Sequence, residues 1–140
     1  MKSFQYFIVF IAIIIGGCSN GIETEEQYIE IQKRIGDENK YEDLREITDN
    51  EQVQNVKKIV DDIVWETAKV NMVRPADYKF VFIYKNPDIQ VKVVLYELWI
   101  SPNNEQVELV IGAASQYIQL GKDESAELFE ILTSGKLSDQ

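Results

Sequence analysis

The chain has 140 residues, 24 acidic and 14 basic, and its net charge of −10 barely moves near neutral pH because there is no histidine. At 45% hydrophobic and 27% charged it has the composition of roughly one globular domain, which excludes wholesale disorder, collagen and a polytopic membrane protein. The acidic excess argues against nucleic acid, whose phosphates require clustered Lys and Arg, and zero His with one Cys leaves no ordinary zinc, haem, iron–sulfur or His-based triad arrangement.

The N-terminus opens with Met1-Lys2-Ser3, followed by an apolar run from Phe4 to Ile15 of the length expected for the hydrophobic region of a secretory signal. That run is short for a permanent span, which needs about 20 residues. It ends in Ile15-Gly16-Gly17-Cys18, which resembles the bacterial lipobox: an aliphatic residue, two small ones, then the Cys that is lipidated and becomes the mature N-terminus. On this reading residues 1–17 are a lipoprotein signal peptide and Cys18 carries the lipid. The alternative is an uncleaved signal anchor with Cys18 as an ordinary thiol. Two or three acyl chains, at about 0.8 kcal/mol per buried CH₂, would anchor the chain stably to the outer face of the cell membrane. Removal of residues 1–17 leaves 13 basic and 24 acidic side chains, a charge of −11, so the lipid would hold the protein to the membrane and its surface would not.

Residues 18–40 read as the lipidated end and an acidic tether carrying Glu23, Glu25, Glu26 and Glu30. Tyr28, Ile29, Ile31 and Ile35 could line one side of a short helix there, cut off by Gly36. Residues 41–137 read as the folded domain. It begins with a short extended piece through Leu44–Ile47, and Thr48-Asp49-Asn50-Glu51 then has the form of a capping box. Val53, Val56, Ile59, Val60, Ile63 and Val64 follow on one helical stripe. Trp65 breaks that pattern, falling on the polar side with Lys58, Asp61 and Asp62.

Pro75 closes this region, and strands follow. Tyr78–Tyr84 is aromatic and β-branched, Asn86-Pro87-Asp88 is a turn, and Ile89–Ile100 is a long apolar run, together a hairpin. Gln106–Ile111 and Ser115–Leu120 supply two more strands, and Asp123 is placed to cap a last helix from Glu124 to Leu132, ended by Ser134-Gly135. The fold expected is α+β: an amphipathic helix, a four-stranded antiparallel sheet and a C-terminal helix, with room for a short N-terminal strand. Two helices would cover one face of the sheet and leave the other partly open.

The run Val70-Asn71-Met72-Val73-Arg74-Pro75-Ala76-Asp77-Tyr78 after an amphipathic helix, the Leu95-x-x-Leu98-Trp99 strand, and Tyr117-Ile118-Gln119-Leu120 leading into Ser125-Ala126-Glu127-x-Phe129 resemble the YhfM-like domain of small Gram-positive lipoproteins over residues 41–137. The chain departs from that pattern at Arg74, where the pattern has Asp before Pro. The resemblance implies a surface-tethered domain and carries over no catalytic residue.

Chemistry is sparse. Asp61-Asp62 and Asp123-Glu124 are neighbours on helices, where adjacent side chains diverge, and they read as solvent-facing and first-turn acids. Ser101, Ser115, Ser125 and Ser134 have no His to activate them, which leaves a Lys-assisted Ser hydrolase as the one enzymatic alternative. No enzyme activity is expected. The function expected is a non-catalytic module that binds or modulates another envelope protein, with a small-molecule or cell-wall-fragment binder as the alternative. Trp65 is the candidate partner contact, because a Trp on a polar face is either an interface anchor or a residue that some other segment folds over.

Overall fold

The computed structural model describes residues 25–68 and 72–140. The signal-peptide and lipobox positions, Ile15, Gly16, Gly17 and Cys18 among them, lie outside the described residues. Among the described residues no helix is long and apolar enough to cross a membrane.

Seven strands form one antiparallel sheet: β1 (Gln27–Arg34), β2 (Tyr41–Ile47), β3 (Glu66–Thr67), β4 (Tyr78–Tyr84), β5 (Tyr96–Ile100), β6 (Val107–Ile111) and β7 (Gln116–Gln119), in the spatial order β2-β1-β4-β5-β6-β7-β3. Two helices, α1 (Asn50–Asp61) and α2 (Lys122–Thr133), complete the α+β fold. The four-stranded expectation is therefore corrected to seven, and the largest part of that correction is β1. The segment read as tether or short helix holds Ile29 and Ile31 two apart with polar residues between them, which is the period of a strand. β1 sits between β2 and β4 with both edges paired, and its inward side chains are covered by helices. Burying those two isoleucines completely contributes roughly 1.5–3 kcal/mol each, more than a solvated spacer could offer.

The core lies on one face of the sheet. Ile29 and Ile31, Tyr78 and Phe80, Leu98, Val107 and Leu109 point there, against Val53, Val56 and Val60 of α1 and Leu128, Phe129 and Leu132 of α2. α1 starts one residue later than the capping-box reading: Asp49 is the N-cap, its carboxylate accepting from the backbone N–H of Gln52 at 3.2 Å. α2 is capped by Gly121 without a side-chain bond, leaving Asp123 and Glu124 as first-turn acids. Its end is Ser134 in the left-handed region, φ 64°, so Ser134 and not Gly135 takes the conformation that closes the helix.

The opposite face carries Tyr28 and Glu30 of β1, Lys79, Val81 and Ile83 of β4, Glu97 and Trp99 of β5, Glu108 and Val110 of β6, and Tyr117 of β7. Among the described residues no helix covers this face, and all but Trp99 are partly exposed.

Candidate functional site

Two places bring exposed apolar or aromatic groups together. The first lies where α1 ends beside the β4–β5 connection. α1 stops at Asp61, three residues before the apolar stripe does, so Trp65 does not stand on a helical polar face. It lies in the connection to β3, half-buried, with its ring 6.2 Å from that of Tyr96. Tyr96 in turn stacks on Phe80, rings 5.0 Å apart and 10° from parallel, and meets Phe82 edge-on at 6.0 Å. Trp65 is thus the outer member of an aromatic group rooted in the core, and its apparent misplacement came from extending the helix past Asp61.

Next to this group the chain departs from the expected hairpin. The turn is formed, with Asp88 N–H donating to Asn86 Oδ1 at 3.0 Å and Ile89 N–H to the Asn86 carbonyl at 3.2 Å. β5, however, begins only at Tyr96, and the apolar run before it is not in a strand. Val91, Val93, Val94 and Leu95 are 42–51% exposed, and Val64 on the neighbouring connection is 85% exposed. Between this run and β4 lies a recess of about 210 Å³, bounded by Phe82, Tyr84 and Tyr96 of the sheet, Val60 and Asp61 of α1, and Val91, Val93 and Val94. Lys57 closes its rim by donating to Gln27 Oε1 at 3.3 Å. Burial, reinforced by the nearby Asp61 carboxylate, pushes the Tyr96 hydroxyl above the usual tyrosine range, so it stays protonated and uncharged. The exposed valines are the feature the sequence reading missed: a β-branched run bounded by a turn carries the same pattern whether or not it zips up.

The second place is a groove of about 490 Å³ on the uncovered face, between the Met72–Ala76 segment and Glu97, Trp99, Val110 and Gly112. Trp99 is only 5% exposed and forms its floor. One wall is held by Asp77, whose Oδ1 accepts from Arg34 at 3.1 Å and from Arg74, and whose Oδ2 accepts from the Ile100 backbone N–H at 2.7 Å. Arg74 also donates to the Ile100 carbonyl at 2.8 Å, and Tyr41 donates to the Ala76 carbonyl at 2.8 Å. Arg74, the position that departs from the resembled pattern, is therefore a structural cross-tie.

Three of the four serines have their hydroxyls engaged in hydrogen bonds within the fold. Ser125 is fully buried, accepting from Val107 N–H at 3.0 Å and donating to the Leu120 carbonyl at 3.3 Å. Ser101 accepts from Gln119, and Ser134 from Arg45. Among the described residues no group of three or more His, Cys, Asp or Glu is placed to hold a metal ion.

A family model described as YhfM protein matches residues 22–137, most of the chain. The chain belongs to the YhfM family. The match begins upstream of Tyr41, where the sequence resemblance started, and takes in β1, which lies inside the sheet between β2 and β4. No curated protein and no solved structure matches this YhfM-family chain.

Proposed function

We propose that this YhfM-family chain is a lipoprotein anchored through Cys18 to the outer face of the cell membrane, where it acts as a non-catalytic binding or modulatory module for another envelope protein. The anchoring reading rests on Ile15-Gly16-Gly17-Cys18 at the end of the apolar N-terminal run. The binding reading rests on one observation: Val91, Val93, Val94 and Leu95, consecutive but for one lysine, are about half exposed beside a recess lined by Phe82, Tyr84 and Tyr96, the last of which lies against Trp65. Apolar side chains clustered on a surface around aromatic anchors are the composition of an interface core. The groove over Trp99, within the size range of small-ligand sites, supports a small molecule or wall fragment as the second reading.

Two measurements test this. In membrane fractions, wild type should take a lipid label and run at the processed mass, and Cys18→Ala should do neither; an unlabelled wild type at precursor mass refutes the anchor. Cross-linking in intact cells should then join wild type to a discrete envelope protein that a folded Val91→Asp/Val94→Asp variant fails to reach. The same cross-linked set from both proteins refutes the valine run as the contact.

A further inference from the structure

β4 and β5 pair over only three positions: Tyr78 with Leu98, Lys79 with Glu97 and Phe80 with Tyr96. On its other side β4 pairs with β1 along its whole length, Tyr84 included. The upper half of β4 therefore has one satisfied edge and one vacant edge inside the sheet. Lys85 N–H donates to the Glu26 carbonyl on the β1 side at 2.9 Å. Because backbone groups alternate edges along an antiparallel strand, Val81 and Ile83 also address β1, and the N–H and C=O of Phe82 and Tyr84 address the vacant edge. No backbone hydrogen bond among the described residues joins them to the run from Gln90 to Leu95.

Continuing the existing register places Val81 opposite Leu95, Phe82 opposite Val94, Ile83 opposite Val93 and Tyr84 opposite Lys92. It leaves Asn86–Gln90 as a five-residue loop, a common hairpin length, in which the Asn86 turn is already made. Both ends of the hairpin are formed, then, and only its middle stands open across the recess of about 210 Å³. Val93, Val94 and Leu95 suit a strand by side-chain type, and vacant backbone donors and acceptors at a strand edge favour pairing.

We propose that the run Val91–Leu95 is a strap that closes onto β4 in this register, so that the domain alternates between the open form described above and a closed form in which β5 extends back to Lys92. Closure pairs Phe82 with Val94 and Tyr84 with Lys92 and eliminates the recess. Closure itself does not depend on any partner. Its consequence, that closing the strap and occupying the recess exclude one another, does rest on the recess being the contact site.

Residue-resolved amide exchange on the full chain tests the strap. Expected is a slowing of Phe82, Tyr84, Lys92 and Val94 by roughly tenfold or more relative to unstructured chain, lost at Phe82 in Val94→Pro, whose missing N–H leaves the Phe82 carbonyl unpaired and whose ring keeps the strap from zipping onto β4, and retained in Val94→Ala. Val107 and Leu109 amides in the same data report whether a variant is folded, and Lys92→Pro repeats the test at Tyr84 if Val94→Pro is not. Exchange of Phe82 and Tyr84 at the unstructured rate overturns the proposal, as does protection that survives both proline variants. Protection that rises with protein concentration also overturns it, because a second copy would then supply the strand. None of these results bears on capture of an envelope protein, so the two readings fail separately.

Discussion

The indole N–H of Trp99 donates to the carbonyl oxygen of Arg74 across 2.9 Å, fastening the segment before β4 to the middle of the uncovered sheet face. Trp99 is nearly buried, so its ring packs and its one polar atom is satisfied in the same place. Trp99→Phe keeps most of the apolar surface but leaves that carbonyl without its donor. The expected loss is about 1–2 kcal/mol in urea unfolding, seen as a lower midpoint at unchanged slope.

Asp77 holds the same segment by charge. Its two carboxylate oxygens take bonds from two guanidinium groups and one backbone N–H, and it is 15% exposed against 17% for Arg34 and 39% for Arg74. Asp77→Ala should cost about 2–3 kcal/mol, because it strands a largely covered Arg34 as well as the Ile100 N–H. Arg74→Ala should cost less, about 1 kcal/mol, since that guanidinium is the more solvated partner. Equal losses from the two variants in parallel denaturation curves would contradict this ranking.

Ile29 decides whether β1 belongs to the folded unit. It is fully buried on the helix-covered face, so Ile29→Ala should destabilise the domain by about 2–5 kcal/mol, as for other large-to-small core changes. A chain in which residues 27–34 were a spacer would lose nothing measurable in the same thermal or denaturant melt.

What could be read from the sequence follows the strength of local periodicity. The stripe of Val53, Val56 and Val60 defines a helix and its buried face, whereas the alternation of Tyr78, Phe80 and Phe82 defines a strand but leaves open which face is covered, a choice the packing of both helices on that side decides. β1 shows its period only at Ile29 and Ile31, among Glu26, Glu30 and a following glycine, and acidic content outweighed it. The end of α1 was hidden for another reason. Asp61 and Asp62 oppose the helix dipole there, but no Gly or Pro marks the stop and Ile63 and Val64 prolong the stripe, so the pattern carries Trp65 onto a helix it lies beyond. β3 is two residues long, too short to leave any pattern.

Ser125 shows how a polar residue can be a core residue. Its hydroxyl takes the N–H of Val107, the first residue of β6, and returns a bond to the Leu120 carbonyl just before α2. Ser125→Ala removes one atom from a fully buried site and leaves that N–H unpaired, for an expected loss of about 1–3 kcal/mol. The Val107 amide should also exchange faster relative to Leu109, which separates loss of this bond from a general loss of stability.

Tyr117 sets the alkaline limit of the sheet's uncovered face. Its hydroxyl donates to Glu108 Oε1 at 2.5 Å, and its pKa is pushed from 10.0 up to about 12, first by burial and then by the hydrogen bond to and charge of Glu108, with Glu66 adding to both. The folded state therefore holds this proton more tightly than the unfolded state does. The stabilisation is fully present below the unfolded value near 10 and is lost as pH rises through about 12. Partial solvent access screens the Glu108 charge and reduces the size of the effect. Burial also raises Tyr28, Tyr41, Tyr78 and Tyr96, so wild type should lose stability steadily above pH 10. Tyr117→Phe should show a shallower decline over the same interval, while losing some stability at neutral pH because Glu108 gives up its donor. In ultraviolet titration of the folded protein, the variant should lack one of the late-ionising phenols. A Tyr117→Phe protein whose stability falls with pH as steeply as wild type would mean that Tyr117 ionises at the same pH in both states.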